Sequence, residues 1–467
     1  MRYGRVCSEN ARGHGETYSI DEPMFTISSV GVGGSGAGGG DWYWLPEKED
    51  AVRVGESIKG DGNGKPPDKP SDNGKPPYVI PSMSEIAAVP WNGYNVISTF
   101  SGCGGSSLGY RMAGFKVLWA SEFVKAAQDT YRANMSEGTV LDTRDIRKVD
   151  PDEILETVGL RPGQLDLLDG SPPCASFSTA GVRHNHWGQV RKYSDTKQRT
   201  DDLFFEFIRI LRGLMPRVFI AENVSGLVKG VAKGTFLEIL SALKDSGYRV
   251  GCKVLDAQWL GVPQQRKRTI FVGVREDLLD DQGQQILPAH PAPLPYRYSI
   301  REAIPWIVGS QAGAFSMEWV SSERPAATVM QSDSTRPHRF QVMARVEPEA
   351  DMSKYAVGKD SEQLAPGEQS DRYFSLQRAP LDGVSPTVTA EGGNPSCASV
   401  MHPVQRRKFS IAELRRICAF PDDFVLTGTY AQQWERLGRA VPPLMMRRIA
   451  ETIRDQILRR IVCEEEY

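Results

Sequence analysis

Phe100-Ser-Gly-Cys-Gly-Gly-Ser-Ser-Leu-Gly109 stands between a short apolar run, Asn95 to Phe100, and a helical pattern, Ser106 to Ala113. Glycines at a strand-to-helix junction let the backbone turn sharply and approach a ligand closely. Lys116 to Ser121 reads as the next strand, and Glu122 closes it, 20 positions after Gly102. A carboxylate at that place suits two ribose hydroxyls. Alone, the stretch fits either a nucleoside cofactor or a Gly-rich structural turn. Its G-x-G-G spacing departs from the G-x-G-x-x-G of dinucleotide sites.

Outward from this turn, strands and helices alternate. Leu165 to Leu168, Val218 to Ala221 and Thr269 to Val274 read as strands, with helices at Leu203 to Leu214 and Phe236 to Leu243. That order implies an α/β fold, a mostly parallel sheet with helices on both faces. The regularity fades after Arg275, and residues 276 to about 385 are rich in Pro, Ser and Gln, as in a smaller irregular domain with few helices. Helices return at Ile411 to Ala419 and from Leu444 onward. There Ile449, Ile453, Ile457 and Ile461 form one apolar stripe, read as packing on the parent core. Before the turn, Gly31 to Gly40 holds seven glycines, and Asn63-Gly-Lys-Pro-Pro67 recurs at 73–77, as in a linker. Four regions are expected: an extension at 1–90, an α/β domain at 91–275, the irregular domain at 276–400, and a segment at 401–467 returning to the α/β domain.

Composition narrows the function classes. The chain has 467 residues and a formal net charge of −2, so it is no basic nucleic-acid coat, although a local basic cleft remains open. Its seven cysteines are scattered, odd in number and never in a C-x-x-C pair. That argues against a disulfide framework or a zinc site and for a reducing, cytoplasmic setting. No run of about 18 apolar residues suggests a membrane span, and residues 1–10 show no secretory apolar region.

Three further segments carry chemistry. Asp169-Gly-Ser-Pro-Pro-Cys174-Ala-Ser-Phe-Ser178 follows a strand, and two prolines stiffen the approach to a cysteine at the strand's carboxyl end. A thiolate there is an accessible nucleophile; a lone cysteine is otherwise a small buried apolar residue. Ala221-Glu222-Asn223-Val224 ends another strand with a carboxylate able to hold and donate a proton, or simply exposed. Val262-Pro-Gln-Gln-Arg266-Lys-Arg268 leads into a third strand with forked donors suited to phosphate or carbonyl groups, or forms a solvated basic face.

In this order the segments resemble the C5-cytosine-specific DNA methyltransferase family. Its F-x-G-x-G-G motif matches Phe100 to Gly105, its Pro-Cys motif Pro173-Cys174, its Glu-Asn-Val motif Glu222 to Val224, and its Q-x-R-x-R motif Gln264 to Arg268. Asp145-Ile146 is similar to its adenine-contacting acid, and Asp202-Leu203-Phe204-Phe205 to its next cofactor-wall motif. Pro386-Thr-Val-Thr389 and Gly438-Arg-Ala-Val-Pro-Pro443 resemble its last two motifs, except that Arg439 replaces the usual Asn and puts one cofactor-side contact in doubt.

The resemblance implies a Rossmann-like S-adenosylmethionine-dependent core with a smaller target-recognition domain, acting on cytosine C5 in duplex DNA. Cys174, Glu222, Arg266 and Arg268 are then the expected catalytic residues, with Asn223 positioning the Pro-Cys loop. Phe100, Ser101, Gly102, Gly104, Gly105, Glu122, Phe123, Asp145, Ile146, Pro172 and Leu203 are expected at the cofactor. Gly181 to Thr200 carries five basic residues against one acid, interleaved with His184, His186 and Trp187, where the family closes a loop over DNA. Ser178, Arg183, Arg191, Lys192 and Arg199 are the expected DNA contacts there. Asp281 to Val384 holds ten Lys and Arg against thirteen Asp and Glu, so base-edge and shape contacts are expected, with Arg336 and Arg339 the candidates. Arg406-Arg407-Lys408 with Arg415 and Arg416 forms a second basic cluster expected on the DNA side.

No metal is expected. The partners are duplex DNA and no membrane, the chain is expected to be a monomer, and a cognate restriction endonuclease is left open. A tRNA cytosine-C5 methyltransferase and a silent DNA-binding relative remain as alternatives. A nicotinamide-dependent oxidoreductase would rest on the Gly-rich turn alone.

Overall fold

The computed structural model describes residues 74–135, 138–173, 191–193, 196–198, 202–228, 233–308 and 348–462. The chain divides into two compact units, Met1–Pro76 and Pro77–Tyr467. The Gly-rich stretch and the first copy of the repeat lie outside the described residues, and Pro77–Tyr467 carries the fold.

Seven strands form the central sheet: β1 Asn95–Thr99, β2 Lys116–Ser121, β3 Val140–Asp142, β4 Leu167–Gly170, β5 Val218–Val224, β6 Tyr248–Asp256 and β7 Lys267–Arg275. Their order is β3-β2-β1-β4-β5-β7-β6. Neighbours pair in parallel from β3 through β5, whereas β7 runs antiparallel to both β5 and β6. Val96, Ile97, Leu167, Leu168, Val218, Phe219 and Ile220 are wholly buried, so the central strands carry apolar side chains on both faces. The mostly parallel sheet is the one expected.

The helices on its faces are α1 Met83–Ala87, α2 Gly105–Met112, α3 Lys125–Met135, α4 Pro151–Val158, α5 Leu203–Leu214 and α6 Lys233–Lys244. They are followed by α7 Ile300–Ala303, α8 Ala356–Ser361, α9 Ile411–Ile417, α10 Tyr430–Arg439 and α11 Pro443–Gln456. Local chemistry starts several of them. Ser82, Ser299, Ser410 and Thr429 each close a capping box, and Pro151 and Pro443 sit in first turns. As expected, Ile449, Ile453, Ile457 and Ile461 join the core that holds Val96, Val117 and Ile270.

Two glycines set how residues 441–446 meet α2. A Cβ on Gly105 would stand 2.3 Å from the Val441 carbonyl oxygen, and one on Gly109 2.6 Å from Met446 Cβ. Glycine alone lets α2 lie this close to α11. Described residues between 276 and 400 hold short helices and a two-residue strand pair, Gln377–Arg378 with Val400–Met401. Met352, Val357 and Leu376 pack with Met401 in a small core, whereas Ile300, Ala303, Ile304, Ala379 and Val388 join the core that holds Cys103 and Leu108.

Candidate active site

The cofactor-side turn is built by its own backbone. Phe100 and Gly102 adopt positive φ, 53° and 57°, and turn the chain back on the end of β2. Ser101 donates from its backbone N–H to the Ser121 carbonyl at 2.9 Å and from its hydroxyl to the Ser98 carbonyl at 2.7 Å. The Glu122 carboxylate accepts the Gly102 N–H at 2.8 Å and the Val124 N–H at 2.6 Å. Burial pushes this carboxyl up, opposed by the Val124 N–H, the charge of Arg436 and the Gly102 N–H.

Phe100, Ser101, Gly102, Gly105, Glu122 and Phe123 line one cleft of about 1220 Å³. Asp145, Ile146, Pro172 and Leu203 line it too. Gly104 turns away from it, toward Tyr131 and Met135 of α3. Asp145 is held by Arg147, which also pairs with Asp202.

On the other side of the cleft, Glu222 is 8 % exposed near the end of β5, and its carboxylate lies 2.6 Å from Nε of Arg268 on β7. Asn223 donates to the Pro172 carbonyl at 3.2 Å, the loop-positioning contact expected of it. Pro172 and Pro173 line the cleft beside Glu222, and Cys174 itself lies outside the described residues. Beneath the loop, Asp169 accepts from the Ser98 and Tyr110 hydroxyls, and burial pushes its carboxyl up to about 7.

The Q-x-R-x-R segment divides its labour. Arg268 meets Glu222. Arg266, 1 % exposed, donates instead to the carbonyls of Val388 and Arg439 at 3.3 and 3.2 Å. The Gln264 side-chain oxygen accepts the Val388 N–H at 3.2 Å. These two residues bind the last two motifs to β7. Arg439 pairs with Glu435 at 2.7 Å and lines the cleft where the family has Asn. Sequence reading missed Arg436, buried at 4 %, lining the cleft, and paired with Glu435 at 2.9 Å. Its ion-pair partner is its own neighbour, but the cleft it lines brings it toward the distant Glu122, so no local pattern marks it.

Of the expected DNA contacts, Arg191 and Lys192 lie on a small antiparallel ladder, Arg191–Tyr193 against Thr196–Gln198. Ser178, Arg183, Arg199, Arg336 and Arg339 lie outside the described residues. The second basic cluster is corrected. Arg407 grips Glu413 with two 2.8 Å bonds, and Lys408 is fully buried on the carbonyls of Gly392, Asn394 and Cys397. Arg415 donates to the Phe424 carbonyl, and Arg416 pairs with Asp422. These charges are used internally because the segment runs through the core; Arg406 alone stays exposed.

One prediction arises here. Glu122→Ala weakens binding of S-adenosylmethionine by about 10- to 100-fold, the value of charge-assisted hydrogen bonds to two hydroxyls. Calorimetric titration checks it, and an unchanged affinity refutes the ribose assignment.

Residues 94–455 match the family described as C-5 cytosine-specific DNA methylase. The type II methyltransferase M1.HphI of Haemophilus parahaemolyticus is 32 % identical over 364 residues, covering 76 % of this chain and 86 % of that protein. The type II methyltransferase M.DdeI of Desulfomicrobium norvegicum is 28 % identical over 387 residues, covering 77 % and 88 %. A crystal structure assigned as a DNA modification methyltransferase encoded within an E. coli prophage has a TM-score of 0.54. It is 22 % identical and covers 78 % of this chain and 99 % of that one, a likeness of fold. With the motifs, the strand order and the cleft in agreement, the chain belongs to the C-5 cytosine-specific DNA methylase family.

Proposed function

We propose that this chain transfers a methyl group from S-adenosylmethionine to C5 of a cytosine flipped out of a specific duplex DNA sequence. The observation that carries the reading is one cleft lined by both the Glu122 turn and the Glu222–Arg268 pair, with Pro172 and Pro173 between them in sequence. The residues fit the cofactor. Gly102 lines the cleft with open space where a Cβ would stand, and the Glu122 carboxylate is available to ribose hydroxyls. Asp145 would hold the adenine amine, and Phe123, Ile146 and Leu203 would cover its apolar faces. Bound there, the sulfonium supplies an electrophilic methyl carbon.

Cytosine C5 is a poor nucleophile until a thiolate adds at C6 and makes C5 an enamine carbon. Cys174 forms that bond. Glu222 binds N3 and the exocyclic amine, and a proton at N3 draws charge from the ring during attack. C5 takes the methyl group; its proton then leaves to a base as the C6–S bond breaks, which restores the aromatic ring and the thiolate. Arg268 contacts the target base, and its ion pair with Glu222 supports that role. Arg266 acts behind the site, holding the segments that close the cleft.

Extruding the base costs roughly a few kcal/mol. The basic residues Arg183, Arg191, Lys192 and Arg199, with Ser178, are proposed to hold phosphates, and Arg336 and Arg339 to reach base edges. The type II names of the relatives support a restriction-modification setting with a cognate restriction endonuclease. Among the described residues no helix is long and apolar enough to cross a membrane. A cytoplasmic monomer is the proposed working form.

The test is direct. Bisulfite-type sequencing of host DNA expressing the protein should show methylcytosine at one recurring sequence. A duplex carrying 5-fluorocytosine at that position should become covalently attached when S-adenosylmethionine is present. Methylated sites without a trapped adduct would refute the enamine route; no methylated site would refute the function.

A further inference from the structure

Five positions before Cys174, β4 carries a carboxylate that is 1 % exposed, Asp169. A buried acid is destabilising unless its hydrogen-bond partners are matched to it. The Ser98 hydroxyl on β1 donates to Asp169 at 2.8 Å, and the Tyr110 hydroxyl on α2 donates at 3.0 Å. The Ser101 hydroxyl, besides its bond to the Ser98 carbonyl, donates to the Ser98 hydroxyl at 3.1 Å. Ser101 lines the cleft on the cofactor side. One row of hydroxyls thus runs from the cofactor turn to the strand that carries the nucleophile loop.

The end of that strand is tightly seated. Thr99 donates its hydroxyl to the Asp169 carbonyl at 3.0 Å, and a Cβ on Gly170 would stand 2.5 Å from the Phe207 ring. The backbone there has no slack, whereas the Asp169 carboxyl has two states. Ionised, it accepts from both hydroxyls. Protonated, one of its oxygens becomes a donor, and the Ser98 or the Tyr110 hydroxyl must turn round to accept. Hydrogen bonds to the ionised form are also the shorter and stronger ones. Among the described residues, the titratable groups facing it are Tyr110, Tyr131 of α3 and Glu222 of β5. Burial raises the carboxyl to about 7; the Ser98 and Tyr110 hydroxyls pull it down, and the Glu222 charge adds to the rise. A proton shared between Glu222 and the target base takes away that last contribution and favours ionisation of Asp169.

On the proposed function above, we propose that Asp169 is a positioning residue whose ionised form locks the nucleophile strand to the cofactor turn, and that the locked form is the one that transfers the methyl group. A reacting atom misplaced by about 1 Å loses up to about a hundredfold in rate. A modest loosening of the mount behind Cys174 is therefore felt at the sulfur.

The test measures single-turnover methyl transfer by the full chain from pH 6 to pH 9. Saturating S-adenosylmethionine and a duplex carrying the methylated site found by sequencing are used. The parent rate should rise through a step near pH 7. Asp169→Asn keeps the shape of the side chain and cannot ionise. It should remove that step, with a loss of about tenfold at pH 8 and a much smaller one at pH 6. Ser98→Ala and Tyr110→Phe each take one donor from the carboxylate, so each should move the step to higher pH. These two variants decide the matter should Asp169→Asn fail to fold. A parent rate level across pH 7, equal losses in Asp169→Asn at pH 6 and pH 8, a step that survives in it, or steps unmoved in the other two variants would overturn the positioning role and leave methyl transfer standing. A parent chain that transfers no methyl group at any pH would overturn the function itself.

Discussion

Cys174→Ala abolishes methyl transfer, by at least about a thousandfold on the scale seen when an enzyme loses its nucleophile, while S-adenosylmethionine binds nearly as before. The separation follows from the architecture. The cofactor turn is held by β1, β2 and the Glu122 carboxylate, and among the described residues none of its hydrogen bonds passes through the Pro-Pro-Cys loop. The loop is mounted on β4 and β5 and shares with the turn the end of β1. It leaves β4 at Gly170, Ser171 donates to the Thr99 carbonyl at 3.4 Å, and Asn223 fixes the Pro172 carbonyl. Two successive prolines restrict the backbone just ahead of the sulfur. Single-turnover assays with labelled cofactor check the first half, and calorimetry the second. Retained turnover removes Cys174 from its role. Cys174→Ser keeps shape but offers a far weaker nucleophile at neutral pH, and should fail as well.

The second large effect is on stability. Glu413→Gln should destabilise the fold by about 3–5 kcal/mol, the usual result of stripping one partner from a buried ion pair. Glu413 is 2 % exposed and receives two Arg407 bonds of 2.8 Å, and it also accepts the Ser410 N–H that starts α9. His402 completes the cluster. Its Nδ1 accepts the N–H groups of Val404 and Gln405, which leaves the Nε2 proton facing Glu413 at 3.5 Å. Burial pushes the Glu413 carboxyl up, but the Arg407 bonds and then His402 outweigh it and hold the group well below the usual range. A depressed folded-state pKa means that the stabilisation is complete above the unfolded value and fades as pH falls below about 4.5. Urea denaturation at pH 7 and pH 4 checks both points. The gap between parent and variant should be widest at pH 7 and narrow in acid; equal midpoints at pH 7 would refute the cluster's contribution.

The sheet was legible in the sequence where strands are buried on both faces. Lys116–Ser121 and the helix Leu203–Leu214 have the expected bounds, because an apolar run or a 3.6-residue stripe is a local property. β6 escaped notice because it is an edge strand with a mixed, partly exposed face, and β3 because three residues make no pattern. α10 did offer a signal: Tyr430, Trp434 and Leu437 share a face behind the Thr429–Gln432 capping box, although its polar residues mask the stripe. The motif residues lining the cleft could be found because their backbone conformations depend on neighbours in sequence. Lys408 and Arg407 could not, since a basic run looks the same whether solvent or buried acceptors receive its charge. Only the folded chain tells them apart.

The close seating of Gly105 and Gly109 on residues 441–446 bears on how the protein is made. Cys103 of the cofactor turn touches the Arg436 carbonyl, 333 positions later. A ribosome delivers the first of these long before the second, so the growing polypeptide carries its ligand-binding strands through the 333 positions between them without the helix that backs them. Completion of the hollow is therefore a late, long-range event, slow by the entropy of closing so large a loop.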